Sequence, residues 1–149
     1  TRAEAIEQLD WYAMRWKIET FQKILKYGCR AEDSRLRTAQ RLTNLIALFR
    51  IVSWRIFWLT MLHRAEPCAP ARLAFTDEET KVLRQTTAPR RGEHIQRDES
   101  ISAHVLRLAR LGGYLGRASD PPPDNIVLWR GITRLSDIVL GFSLHKSCG

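Results

Sequence analysis

WYAMRWKIETFQKILKYG, Trp11 to Gly28, decides what kind of fold this chain adopts. Trp11, Met14, Ile18, Phe21 and Leu25 recur at three- and four-residue steps and make one apolar stripe, the pattern of an amphipathic helix. At about 100° per residue, Tyr12, Arg15, Glu19, Lys23 and Lys26 fall within a sector of roughly 80° beside that stripe. The spacing predicts a first helix from about Ala3 to Tyr27, with Gly28 as its stop. On spacing alone the polar sector is an ordinary solvated face. Arg15–Glu19 and Glu19–Lys23 are i, i+4 pairs, each worth about 0.2–0.5 kcal/mol.

Outward from this stretch, the chain reads as helix nearly throughout, with no alternation long enough to make a strand. A second helix is expected from about Asp33 to His63, capped by Ser34 or Asp33. Its first half is polar, with Arg35, Arg37 and Arg41. Its second half is apolar almost all round, as in a helix buried on several sides. Pro67 and Pro70 end it. The apolar core of this helix, LIALFRIVSWRIFWLTML (Leu45 to Leu62), has about the length of a membrane span. Arg50 and Arg55 lie inside it, and each would cost roughly 2.5–3.5 kcal/mol at a bilayer centre. A helix buried against other protein is therefore expected, and no membrane partner.

Thr76 and Glu79 have capping-box spacing, so a short third helix should run from about Asp77 to Gln85. TTAPRRGEHIQRDES reads as a polar linker. A fourth helix is expected from about Ser100 to Arg117, with Val105, Leu108, Leu111 and Leu115 apolar and the Gly112-Gly113 pair allowing close packing or a bend. SDPPPDN is a rigid turn. The last helix should span about Val127 to Leu144. Its stripe of Trp129, Ile132, Leu135, Val139 and Phe142 suits either a core or a dimer seam.

The charge narrows the class of partner. With 24 Lys+Arg against 16 Asp+Glu, the 149-residue chain carries a formal net charge of +8. That balance favours an anionic partner, such as nucleic acid or an acidic membrane surface. Cys29, Cys68 and Cys148 are widely spaced, without zinc-ligand spacing, and fit a reducing cytoplasm better than a disulfide framework. His63, His94, His104 and His145 are scattered and read as surface or helix-packing residues. No secretory signal is visible, and a chain beginning at Thr1 is expected to be a piece of something longer.

The polar sector of the first helix has a chemistry of its own. Arg, Lys and Tyr on one ridge are groups that grip a phosphate backbone. A lone carboxylate among them would repel DNA unless a divalent cation sat between, and Mg²⁺ uses one or two carboxylates plus phosphate oxygens. Here the sequence resembles a family. Tyr12, two residues, Arg15, three residues, Glu19, six residues, Lys26 is similar to the YREK signature of bacterial cut-and-paste DNA transposases, DDE enzymes of the insertion-sequence-four family. The flanking RW-x-IE-x-F from Arg15 to Phe21 fits as well. So do the later stretches RLTNLIALFRIVSWRIFWLTMLHRA and LARLGGYLGRASDPPPDNIVLWRGITRL, so the resemblance covers most of the chain.

The resemblance implies that Glu19 is the final acid of the DDE triad and a ligand of the catalytic Mg²⁺. It implies that Tyr12, Arg15 and Lys26 contact the transposon end, with Lys23 as a further DNA contact. Trp16, next to the signature arginine, reads as packing. Cleavage, hairpin formation and transfer into target DNA would each be an in-line displacement at phosphorus, governed by metal charge and positioning. The two catalytic Asp residues of the family lie on upstream strands of an RNase H-like α/β domain. Here only Asp10 precedes Glu19, on the same helix, while Asp33 and Asp77 follow it.

The expected architecture is thus mainly α. Residues 1–66 would be the last helical part of the RNase H-like catalytic domain, and residues 67–149 a helical C-terminal region that forms a homodimer. Leu115, Trp129, Ile132, Leu135 and Phe142 are its packing or seam candidates. The expected function is to supply the Glu of the metal site and transposon-end contacts, inactive alone and located with the bacterial nucleoid in the cytoplasm. The alternative is a non-catalytic basic helical module that binds DNA or pairs with a transposase as an inhibitor.

Overall fold

A computed structural model describes residues 1–28, 34–87, 99–117 and 119–147. Among them the chain is helical, without a strand: α1 Arg2–Ala13, α2 Arg15–Lys23, a π-helical turn Ile24–Gly28, α3 Ala39–Ala65, a 3-10 turn Ala71–Leu73, α4 Asp77–Thr86, α5 Ile101–Leu111 and α6 Asn125–Ser147. The mainly α class is as expected. Most of the expected polar linker, with His94, lies outside the described residues, as do Cys29, Asp33 and Cys148. The chain divides into two compact units, Thr1–Phe57 and Trp58–Gly149, and the division falls inside α3.

In the first unit the expected single helix is interrupted twice. At Met14 the backbone tightens, its N–H shared between the carbonyls of Asp10 and Trp11 at 3.1 Å each. After Lys23 the helix widens into the π turn. The expected apolar stripe is not a core: Trp11, Met14 and Ile18 are exposed, α1 buries no residue, and among the described residues from Arg2 to Tyr27 Ile24, outside the stripe, is the one fully buried. Trp16, expected to pack, is 43% exposed. What holds α2 to α3 is an aromatic contact, Phe21 edge-on to Trp54 at 6.4 Å between ring centroids, with Trp54 in turn 5.6 Å from Phe57.

The helix α3 begins later than Asp33. Residues 34–38 are not helical, and Thr38 is the cap, its Oγ1 accepting from the Arg41 N–H at 3.4 Å. Nor is its apolar half buried on several sides. Ser53, Ile56, Phe57, Leu59 and Thr60 are buried, whereas Leu48, Ile51, Trp54 and Trp58 are exposed. Within its most apolar 18-residue window only 28% is buried. Periodicity could not show this, because an all-round apolar helix asks for partners without supplying them. By length and composition α3 is long and apolar enough to cross a membrane.

The second unit has the better core. Thr76 and Glu79 form the expected capping box at α4: Thr76 Oγ1 accepts from Glu79 N–H at 3.2 Å and Glu79 Oε2 from Thr76 N–H at 3.0 Å. Ser100 caps α5, accepting from the Ala103 N–H at 3.2 Å. Asp124 Oδ1 does the same for α6, through Val127 N–H at 2.8 Å. The segment before α4 is tied to the start of α5 by Ile101 N–H to Ala69 O at 2.7 Å and Ala71 N–H to Glu99 O at 2.9 Å. Leu83, Ile101, Val105, Leu108, Leu128, Ile132 and Leu135 form the core of α4, α5 and α6. Each such burial contributes roughly 1.5–3 kcal/mol.

The fourth helix ends at Leu111 rather than Arg117. Gly112 is its last cap, and Gly113 takes φ +100, a left-handed conformation that favours glycine. The glycine pair is therefore a stop. Gly112 also allows close approach, since a Cβ there would collide with the Val127 carbonyl oxygen, and Gly131 on α6 likewise faces the Leu108 carbonyl. The stripe of α6 divides. Ile132 and Leu135 are core, Trp129 is half-buried, and Phe142 is exposed together with Leu140 and Leu144. Leu115 lies beyond α5 and is 55% exposed.

Candidate DNA-contacting face

The face expected on the first helix lies wholly in the first unit, and its five side chains stand on three pieces of backbone. Arg15, Glu19 and Lys23 share the regular helix α2. Tyr12 is near the end of α1, and Lys26 is inside the π turn. The break at Met14 does not part Tyr12 from its neighbour: the Arg15 guanidinium carbon lies 4.8 Å from the Tyr12 ring centroid. Arg15 also pairs with Glu19, Nε to Oε1 at 3.3 Å. Phenol, guanidinium and carboxylate thus form one linked row, and all five side chains are exposed.

Energetics keep this row available. Arg15 and Glu19 are 59% and 62% exposed, so their ion pair is worth only about 0.3–0.5 kcal/mol. The cation–π contact at an exposed site adds about 0.5–1 kcal/mol. Both are small beside a charge-assisted hydrogen bond to a phosphate, so a phosphodiester could draw Arg15 away and leave the Glu19 carboxylate free. The arrangement can therefore grip a phosphate backbone while offering one hard oxygen ligand.

One ligand is what it offers. Among the described residues no group of three or more His, Cys, Asp or Glu side chains could hold a metal ion. Mg²⁺ wants near-octahedral oxygen coordination, which one exposed carboxylate does not provide. The donor set on this face, among the described residues, fits a share of a magnesium site and not a whole one.

The widened turn is the feature sequence reasoning missed. It carries Lys26, and leaves Tyr27 exposed at 65% just beyond. No residue type in ILKYG announces a π turn. Elsewhere, His104 is fully buried against Phe75, with Nδ1 3.0 Å from the Ser100 carbonyl and Nε2 without a hydrogen-bond partner among the described residues. Burial is the chief force pushing its pKa below the usual 6.5, aided by Arg107 and Arg84. Of the two readings the sequence left open for it, surface or helix packing, it is a helix-packing residue, in the core of the second unit. Cys68 is an exposed free thiol. A scan of the sequence against protein-family models found no match.

Proposed function

We propose that this chain is the C-terminal part of a bacterial cut-and-paste DNA transposase of the DDE type. Glu19 supplies the last carboxylate of its Mg²⁺ site, and Tyr12, Arg15, Lys23 and Lys26 contact transposon-end DNA. The observation that carries the reading is the exposed, linked row of Tyr12, Arg15 and Glu19, continued by Lys23 and Lys26, at the signature spacing. In the complete site, two upstream aspartates would share the metal, and the metal would stabilise charge developing at phosphorus. The residues of this chain would hold the DNA. Arg15 exchanges Glu19 for a phosphate oxygen, the lysines neutralise backbone charge, and the Tyr12 hydroxyl donates to the strand.

The uncovered apolar faces of α1, α2 and the first part of α3 support the same reading, because such helices would lie against the sheet of an RNase H-like domain. Residues 67–149 would form the homodimer region, with Phe142 and Leu115 the exposed members of the expected seam. The partners are transposon-end and target DNA in the bacterial cytoplasm, and no membrane.

The test is DNA binding by the 149-residue chain across a range of salt. Binding should weaken steeply with salt, and Arg15→Ala and Lys26→Ala should each lower the slope by about 1. Slopes unchanged in both variants would remove the phosphate contacts. The chain alone should show no magnesium-dependent nicking, and reproducible nicking would mean that it holds a second metal carboxylate.

A further inference from the structure

We infer that Tyr27 is a further DNA-binding residue of this face, donating its hydroxyl to a phosphate oxygen of the backbone that Lys23 neutralises. The inference rests on the DNA-contact reading above and adds a residue outside the signature. Its basis is the π turn over Ile24–Gly28. In an α-helix the repeat closes between the third and fourth residue, so that Lys26 and Tyr27 would straddle the line above Lys23. A π turn closes its hydrogen bonds at the fifth residue. The wider repeat turns the chain through a smaller angle per residue, so Tyr27, four residues on, stays on the side of the helix that Lys23 occupies. Gly28, the other residue of the widened turn near that line, has no side chain.

Exposure agrees with this register. Tyr27 is 65% exposed, the same as Tyr12 at the other end of the row, while Ile24 in the same turn is fully buried. The π turn thus anchors itself through Ile24 and presents Lys26 and Tyr27 outward. A phenol beside two lysines suits the class of ligand already proposed, since tyrosine hydroxyls donate to phosphate oxygens without carrying charge. Single π turns inside α-helices are rare and recur at functional sites.

Because Tyr27 carries no charge, its loss has a signature that loss of a lysine does not share. The test is fluorescence anisotropy of the full chain with a short random-sequence DNA duplex, titrated at several salt concentrations. Tyr27→Phe should weaken binding about three- to tenfold, the weight of one net hydrogen bond. The slope of log affinity against log salt should stay as in the unaltered chain, whereas Lys23→Ala should lower it by about 1. Tyr27→Phe removes only an exposed hydroxyl, and an unchanged helical circular dichroism signal confirms that the fold is intact. If Tyr27→Phe binds as tightly as the unaltered chain while Lys23→Ala weakens binding and lowers the slope, the inference is overturned and the DNA face stands. If none of Lys23→Ala, Lys26→Ala and Tyr27→Phe changes binding, both fall together.

Discussion

Replacing Gly131 by alanine should drive α5 and α6 apart. A Cβ built there overlaps the Leu108 carbonyl oxygen and stands 3.0 Å from the carbonyl carbon and 3.1 Å from Leu108 Cγ, where ordinary contacts begin at 3.4 Å. The oxygen and carbon belong to backbone, so no rotamer relieves them. Parting the helices by about 1 Å forfeits on the order of a quarter to a half of the dispersion energy of each contact across the gap. Leu108, Leu128, Ile132 and Leu135 are all buried there. Overpacking of this kind costs about 2–3 kcal/mol, which lowers the melting temperature by roughly 10–20 °C in a domain of this size. Gly141 on the same helix provides the control, because a Cβ there meets nothing within 4 Å. Gly141→Ala should stabilise by about 0.5–1 kcal/mol through helix propensity alone. Thermal and urea denaturation of the two variants measure both. Equal effects, or a Gly131→Ala chain as stable as the parent, would refute the close crossing of α5 and α6.

Three further outcomes follow from the geometry. Thr76→Ala removes the capping box of α4 and should cost about 1 kcal/mol in urea unfolding, with no change at α6. His104 is buried with a pKa held below 6.5, so the unfolded chain binds its proton more readily than the folded one. Its contribution to stability is therefore complete above pH 6.5 and is lost as pH falls from there through the folded-state value; a urea midpoint constant or rising over that fall would contradict it. The exposed Leu48, Ile51 and Trp54 should drive concentration-dependent association of the isolated chain, read by light scattering, and Ile51→Gln should reduce it without loss of helix.

Local signals in the sequence translated well into structure. Thr76, Glu79 and Ser100 announce helix starts because capping is a local hydrogen-bond problem, and the side chains that solve it stand within three residues. The stripe of α6 suited a core or a dimer seam alike, and the structure puts Ile132 and Leu135 in the core. Burial was less legible. Trp11, Met14 and Ile18 have the spacing of a buried face, yet the face is exposed, because periodicity shows which residues seek cover and not what covers them. The Gly112-Gly113 pair suited close packing or a bend, and the left-handed φ of Gly113 instead makes it the end of α5. For the candidate site, spacing put Tyr12, Arg15, Glu19, Lys23 and Lys26 on one face of a regular helix. The breaks at Met14 and Ile24–Gly28 regrouped them, and neither break has a residue signature.

Glu19→Gln, placed in the full-length transposase proposed above to carry this segment, would separate catalysis from DNA binding in one substitution. The amide keeps the size of the side chain and its exposed position on α2, and removes the negative charge that a divalent metal needs. We predict that transposon-end binding by gel shift stays within about threefold of the parent, since the exposed Arg15–Glu19 pair contributes only a few tenths of a kcal/mol. Magnesium-dependent strand cleavage in the same preparation should be abolished. Cleavage retained at the parental rate would contradict the assignment of Glu19 to the metal site and leave only a DNA-binding helix.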